Sequence, residues 1–276
     1  MTKTGIEWTD EVWNPVRGCT RVSPGCENCY AERFAARFSK EGMPWDGLVK
    51  WGKQGPLWTG EVNLIYDKLE DPMHWAKPRR VFVNSMSDLF HDKVPDNFIR
   101  DVFGVMAMAE RHTFQILTKR SIRMEQWFGS LAAHEAAEYA EEAGRPWPLS
   151  NVWLGVSVES QDWASDRIPG LINSPAEVRF VSAEPLLDEL DLTEVEDPFE
   201  GGYFNALQVG VDWVIVGCET GPRSQTRDMQ ECWVRDLRLQ CRSNDTAFFY
   251  KQAKDENGRL TSLPLLDGKS WSEYPT

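Results

Sequence analysis

The sequence predicts an α/β fold: a partial (β/α)6 barrel with inserted loops and one inserted helix. Three observations lead there. Short apolar, β-branched runs recur along the 276 residues. Each is about as long as a strand buried on both faces. Stretches long enough to hold a helix separate them. This alternation is the signature of repeated β–α units in a parallel sheet, and roughly six or seven such units are too few for a complete eight-stranded barrel.

The elements follow in order. A strand after Trp13 and a helix after Cys29 form the first unit. Gly42–Lys77 is rich in Trp, Gly, Pro and Lys and reads as an irregular excursion. The clearest strands are Val81–Asn84, Phe114–Thr118, Val152–Val158, Val178–Ser182, Trp213–Gly217 and Ala247–Tyr250. Asp96–Glu110 carries Phe98, Val102, Val105, Met106 and Ala109 at helical spacing, and Gln230–Arg242 does the same with Trp233, Leu237 and Cys241. Gln126–Pro148, rich in Ala and Glu, reads as a helix inserted after the third strand. No repeat or low-complexity tract interrupts the pattern, so one domain over residues 1–276 is expected.

Composition narrows the class. Hydrophobic residues at 41% and charged residues at 26% are ordinary values for a chain that buries a core. MTKTGIEWTD lacks a basic segment followed by an apolar run, and no stretch approaches a membrane span. A soluble, cytoplasmic protein without membrane partners is the expectation. The net charge of -13 argues against a broad basic surface for duplex DNA, while leaving room for a local basic cleft. It also suits a small-molecule or single-nucleotide substrate.

Three of the six cysteines fall within residues 19–29, in Cys19-Thr-Arg-Val-Ser-Pro-Gly-Cys26-Glu-Asn-Cys29. In a reducing compartment such clustering points to metal rather than to disulfides. Pro24 and Gly25 bend the loop, and three thiolates on it can reach three irons of one cubane. With no fourth cysteine nearby, one iron stays open to the amino and carboxylate groups of S-adenosylmethionine (SAM). The alternatives are a zinc site completed by His74, His91 or Cys218, and three unrelated thiols. The barrel-like element order favours the [4Fe–4S] cluster.

In a parallel barrel the chemistry gathers at the C-terminal strand ends. There the sequence places Ser85, Ser87 and Asp88; Lys119 and Arg120; Ser157 and Glu159; Ser182 and Glu184; Cys218 and Glu219; and Lys251. Ser85, Ser87 and Asp88 are candidates for the SAM ammonium, although Ser87 and Asp88 also suit a helix cap. Lys119 and Arg120 are candidates for the SAM carboxylate. Glu159 can hold two ribose hydroxyls and Ser157 the carboxylate. Ser182 and Glu184 complete the cofactor set. Cys218, a potential hydrogen-atom donor, stands with Glu219 and Lys251 as the catalytic candidates. Cys232 and Cys241 read as packed small hydrophobes. Arg223 and Arg227 either meet a phosphate or are solvated. Trp45, Trp51 and Trp58, with Lys50 and Lys53, form either a stacking platform for an unpaired base or a loop packed on its own domain.

The stretch Trp13-Asn-Pro-Val-Arg-Gly-Cys19 with Cys26-Glu-Asn-Cys29-Tyr30-Ala-Glu resembles the opening of the phage-type three-cysteine-motif proteins, a radical-SAM-like group. The resemblance continues through Val81–Phe90, Phe114–Arg120, Trp153–Glu159, Phe180–Leu187, Asp212–Gly217 and Phe248–Gln252, nearly the whole chain. It implies a radical-SAM-type partial barrel, a [4Fe–4S] cluster, SAM cleaved to a 5′-deoxyadenosyl radical, and an external electron donor of flavodoxin or ferredoxin type. It also implies a phage protein working in the host cytoplasm, and a modified thymine base in DNA that is altered or isomerised. Repair, a peptide substrate, a free nucleotide, or a zinc-binding partner module without catalysis are the other readings. The chain departs from the pattern in two places. Cys218 stands where the group usually has a second glycine. The spacing is C-x6-C-x2-C, and Asn28 holds the place of the aromatic that usually precedes the third cysteine, leaving Tyr30 as the candidate for adenine.

Overall fold

The computed structural model describes residues 4–53, 55–198, 201–221 and 224–275. Arg223 lies outside them. The main sheet has eight strands: β1 (Glu11–Trp13), β2 (Arg80–Val83), β3 (Thr113–Thr118), β4 (Val152–Ser157), β5 (Val178–Ala183), β6 (Trp213–Gly217), β7 (Ala247–Lys254) and β8 (Leu260–Ser262). They lie side by side in chain order. Neighbours from β1 to β7 run parallel, and β8 turns back antiparallel on β7. The sheet curls into a half-barrel whose first and last strands do not meet.

Helices provide the crossovers. α1 (Tyr30–Ala36) follows β1, α2 (Asp96–Met108) joins β2 to β3, and α3 (Ser121–Phe128) with α4 (Leu131–Glu142) joins β3 to β4. α5 (Gln161–Asn173) follows β4, the short α6 (Ala206–Val209) precedes β6, and α7 (Glu231–Ser243) leads to β7.

Strand side chains alternate between two apolar layers, as a sheet covered on both faces requires. Val81, Val83, Val181, Val214, Val216, Phe248 and Tyr250 join the core under the helices. Phe82, Phe180, Trp213, Ile215 and Phe249 point the other way, into a second cluster closed by Trp8. This parity fixes what the strand ends present. Continuing the inward positions by twos reaches Asn84, Lys119, Ser157, Ser182, Glu184 and Lys251.

Several sequence expectations are corrected. The first strand of the sheet ends at Trp13 instead of following it, and Pro15 lacks the donor that a longer strand would need. Residues 42–77 are not irregular throughout: Val49–Gly52 and Gly55–Trp58 form an antiparallel hairpin. Gly129 and Ser130 split the expected inserted helix, and α4 stops at Glu142. Trp45 and Trp58 are buried with their rings 6.1 Å apart, packing the hairpin against Ala31 and Ala35 of α1. Only Trp51 of the three stays exposed. Cys241 is buried as expected, whereas Cys232 is exposed.

Candidate active site

At the C-terminal strand ends lies a cavity of about 210 Å³. Its floor is apolar, from Ile6, Trp8, Phe82 and Leu117. Cys19, Cys26 and Cys29 all line it, on a loop tightened by a 3-10 turn at Pro24–Cys26. The Cys26 amide donates to the Ser23 carbonyl at 3.0 Å, and the Cys29 amide donates to the Cys26 carbonyl at 3.3 Å. Around the same cavity stand Tyr30, Ser85, Ser87, Asp88, Lys119 and Arg120. Ser157, Ser182, Glu184, Cys218, Glu219 and Lys251 complete the wall. Of the cofactor, catalytic and metal candidates, Glu159 is the one absent from the lining.

Three strand-end carboxylates hold the cysteine loop. Asp88 accepts from Arg120 Nη1 at 2.9 Å, Thr118 Oγ1 at 2.8 Å, and the amides of Phe90 and Lys119. Arg120 in turn donates to Thr20 Oγ1 at 2.7 Å, the Thr20 carbonyl at 3.2 Å, and Cys19 Sγ at 3.8 Å. Glu159, fully buried, accepts from Arg167 Nη1 at 2.8 Å and Ser23 Oγ at 2.8 Å, with Lys119 Nζ at 3.5 Å. Its carboxylate packs so closely on Gly25 that a Cβ there would fall 2.2 Å from Oε1. Glu219 accepts from the Arg227 amide at 2.9 Å and from Nε at 3.2 Å. Arg227 also donates to the Pro24 carbonyl at 2.8 Å and pairs with Glu27 at 3.2 Å. Its side chain is half-buried and its guanidinium is engaged by Glu219, Glu27 and the Pro24 carbonyl.

Glu184 differs. It accepts from Lys251 Nζ and from Gln252 Nε2, the latter at 3.0 Å, and touches no residue of the cysteine loop. Gln252 also donates to the Cys218 carbonyl at 2.9 Å. The Tyr30 hydroxyl crosses the mouth to donate to the Ser85 carbonyl. Ser85 Oγ lies 3.2 Å from Asn14 Oδ1, and Ser87 Oγ donates to the Val16 carbonyl at 2.8 Å, so both serines tie β2 to β1.

Burial controls the protonation here. It pushes the Cys19 thiol up to about 12 against the pull of Arg120, and it raises Cys29 as well. Burial also pushes Cys218 up to about 11, so that thiol is protonated at neutral pH. Asp88 and Glu219 are drawn the other way. Burial would raise both, but the Arg120 charge with the Thr118 hydroxyl, and the donors of Arg227, outweigh it and hold them below the ordinary carboxylate range.

The sequence reading missed Arg167, Thr20 and Ser23. For Arg167 a signal existed: it sits on the buried stripe of α5 with Ala164, Ile168 and Leu171, where a cation needs a buried anion.

Among the described residues, no three His, Cys, Asp or Glu side chains come together in a group that could hold a metal ion. His91 accepts the Lys93 amide at Nδ1 and bonds Thr20 Oγ1 through Nε2, while His74 is exposed.

A family described as "Protein of unknown function (DUF5131)" matches residues 3–275. The chain belongs to this family. No curated protein and no solved structure gives a significant match. For this DUF5131 member the geometry of the cavity therefore carries the functional argument. No helix among the described residues is long and apolar enough to cross a membrane.

Proposed function

We propose that the chain is a radical SAM enzyme of the radical-SAM-type partial barrel. Cys19, Cys26 and Cys29 would hold a [4Fe–4S] cluster and SAM would bind beside it. One observation carries the reading: the three cysteines line the same strand-end cavity as polar residues contributed by β2 to β7. The donor set also favours a cluster over zinc. A structural zinc ion takes four protein ligands at one centre, and the loop offers three cysteines. A cubane takes the same three thiolates on three separate irons.

When bound, the cluster and SAM supply a radical that takes a hydrogen atom from an unactivated carbon. The chain's own residues have the remaining tasks. Arg120 fixes Cys19 and places positive charge beside it. Glu159 and Arg227 fix the loop between the first and second cysteines. Ser157 and Ser182, paired in register on β4 and β5, present hydroxyls for the polar end of SAM. The apolar floor excludes water. Glu184, Lys251 and the protonated Cys218 face the substrate side. The sequence resemblance extends the substrate to a modified thymine base in DNA, with an external flavodoxin- or ferredoxin-type protein as electron donor. Repair and peptide substrates belong to the same chemistry.

Anaerobic reconstitution tests the reading. The chain should bind about four irons and form 5′-deoxyadenosine from SAM and dithionite. Replacing Cys19, Cys26 and Cys29 with Ala should abolish both. A triple variant that keeps its iron sinks the proposal, and zinc bound in place of iron points to the partner-module reading.

A further inference from the structure

α1 buries one face and leaves the other bare. Ala31 and Ala35 pack against Trp45, Leu48 and Trp58. On the outer side Tyr30, Phe34 and Phe38 stay 48%, 44% and 38% exposed. They recur every four residues, Tyr30 and Phe34 on α1 and Phe38 in the turn just past its end at Ala36. The Phe34 and Phe38 rings lie 5.3 Å apart. The series starts at the cavity, because Tyr30 lines it and spans its mouth.

Cations flank these rings. Arg33, Arg37 and Lys40 fall within residues 30–40. The single carboxylate of that stretch, Glu32, is buried and accepts from Arg21 Nε at 3.0 Å. Arg33 is tethered to Asn28 and Gln225, whereas Arg37 and Lys40 are exposed. On a chain of net charge -13, two exposed cations and the half-buried Arg33 beside three apolar rings, against one exposed carboxylate at Glu41, make a local reversal that suits an anionic partner.

We propose that the outer face of α1 binds single-stranded nucleic acid. Bases stack on Tyr30, Phe34 and Phe38, phosphates meet Arg37 and Lys40, and one nucleotide is led to the cavity mouth. The delivery step rests on the cavity being the active site; the binding surface does not. Rings in series need unstacked bases, which a duplex withholds. An acidic protein would use the cations and leave the rings in water. Of the two sequence readings of the tryptophans, the packed loop holds for Trp45 and Trp58, which are buried, and Trp51 is the one of the three left exposed, on the hairpin.

Fluorescence anisotropy of the full chain with a labelled oligothymidylate tests this. Binding should weaken with salt. Phe34→Ala and Phe38→Ala should each weaken it about tenfold or more. Arg37→Ala should lower the salt slope by about one, and Trp51→Ala should change little. An abasic strand of equal length should bind the unaltered chain as weakly as the Phe variants bind the oligothymidylate. Full-strength binding of the abasic strand, or polyglutamate bound as tightly as the oligothymidylate, overturns the proposal. Iron content is measured on the same samples: strand binding without iron removes the cluster reading alone, and iron without strand binding removes this one alone.

Discussion

The carboxylates at the strand ends divide into two kinds. Asp88, Glu159 and Glu219 each pair with an arginine and, directly or through it, hold the cysteine loop at Thr20, at Ser23 and Gly25, and at Pro24 and Glu27. Glu184 pairs with Lys251, faces the cavity and holds none of that loop. All four sit at the same level of the sheet, so position alone does not assign a role. What separates them is whether a loop residue takes up their remaining hydrogen-bonding capacity. The first three act as scaffold for the thiols. The fourth stays with its lysine at the cavity wall, facing the cavity.

The sharpest way to break this division is at Glu159. Its side chain is 1% exposed and that of Arg167 is 0% exposed. Glu159→Gln leaves the guanidinium buried without an anion, at a cost of about 3–5 kcal/mol. Chemical denaturation of the metal-free chain should show that loss, and reconstitution should show less iron. Pairing the change with Arg167→Met should restore much of the stability, because the orphaned charge is gone. It should not restore iron, because Ser23 and Gly25 have still lost their anchor. Recovery of both would reduce Glu159 to a core residue with no part in the loop.

The opposite outcome is expected on the other side. Lys251 and Glu184 retain 13% and 18% exposure, so Glu184→Gln should cost less than Glu159→Gln, about 1–3 kcal/mol. Iron content should stay at the unaltered level while turnover of the native substrate falls. Iron loss in Glu184→Gln equal to that in Glu159→Gln would erase the distinction.

The sequence made the scaffold legible and hid its wiring. β2 and β6 were readable because both faces of each strand are apolar, so Val81-Phe-Val and Trp213-Val-Ile-Val appear as unbroken runs. The cavity wall was readable because polar residues at strand ends keep the inward parity of the residues before them. The partners were not readable. Arg120 reaches Cys19 across 101 positions and Arg227 reaches Pro24 across 203, and no local spacing encodes such pairs. Hence Arg120 and Glu159, expected to hold SAM, are occupied with the loop. The hairpin at Val49–Trp58 was hidden for a similar reason: residues 42–77 read as irregular, and although a loop packed on its own domain was one of the two readings of Trp45 and Trp58, only the fold shows that Ala31 and Ala35 of α1 lie beneath them.

The smallest effect reads two of the loop-holding carboxylates, Asp88 and Glu219, by pH. Asp88 and Glu219 are held below the range in which carboxylates ordinarily titrate, by Arg120 and Arg227 acting against burial. Unfolded, both return to ordinary values of about 4. In acid the unfolded chain therefore binds more protons than the folded one, and stability must fall as pH falls. The contribution is complete above about pH 5, shrinks as pH passes below about 4, and is gone once the folded values are passed. Asp88→Asn with Glu219→Gln should lower stability at neutral pH and flatten the acid limb of the stability curve. Urea titrations of the metal-free chain from pH 7 to pH 3 read the unaltered chain and the double variant. An acid limb that stays equally steep in the double variant would mean that these two braces do not carry it, and the scaffold role of Asp88 and Glu219 would fail with it.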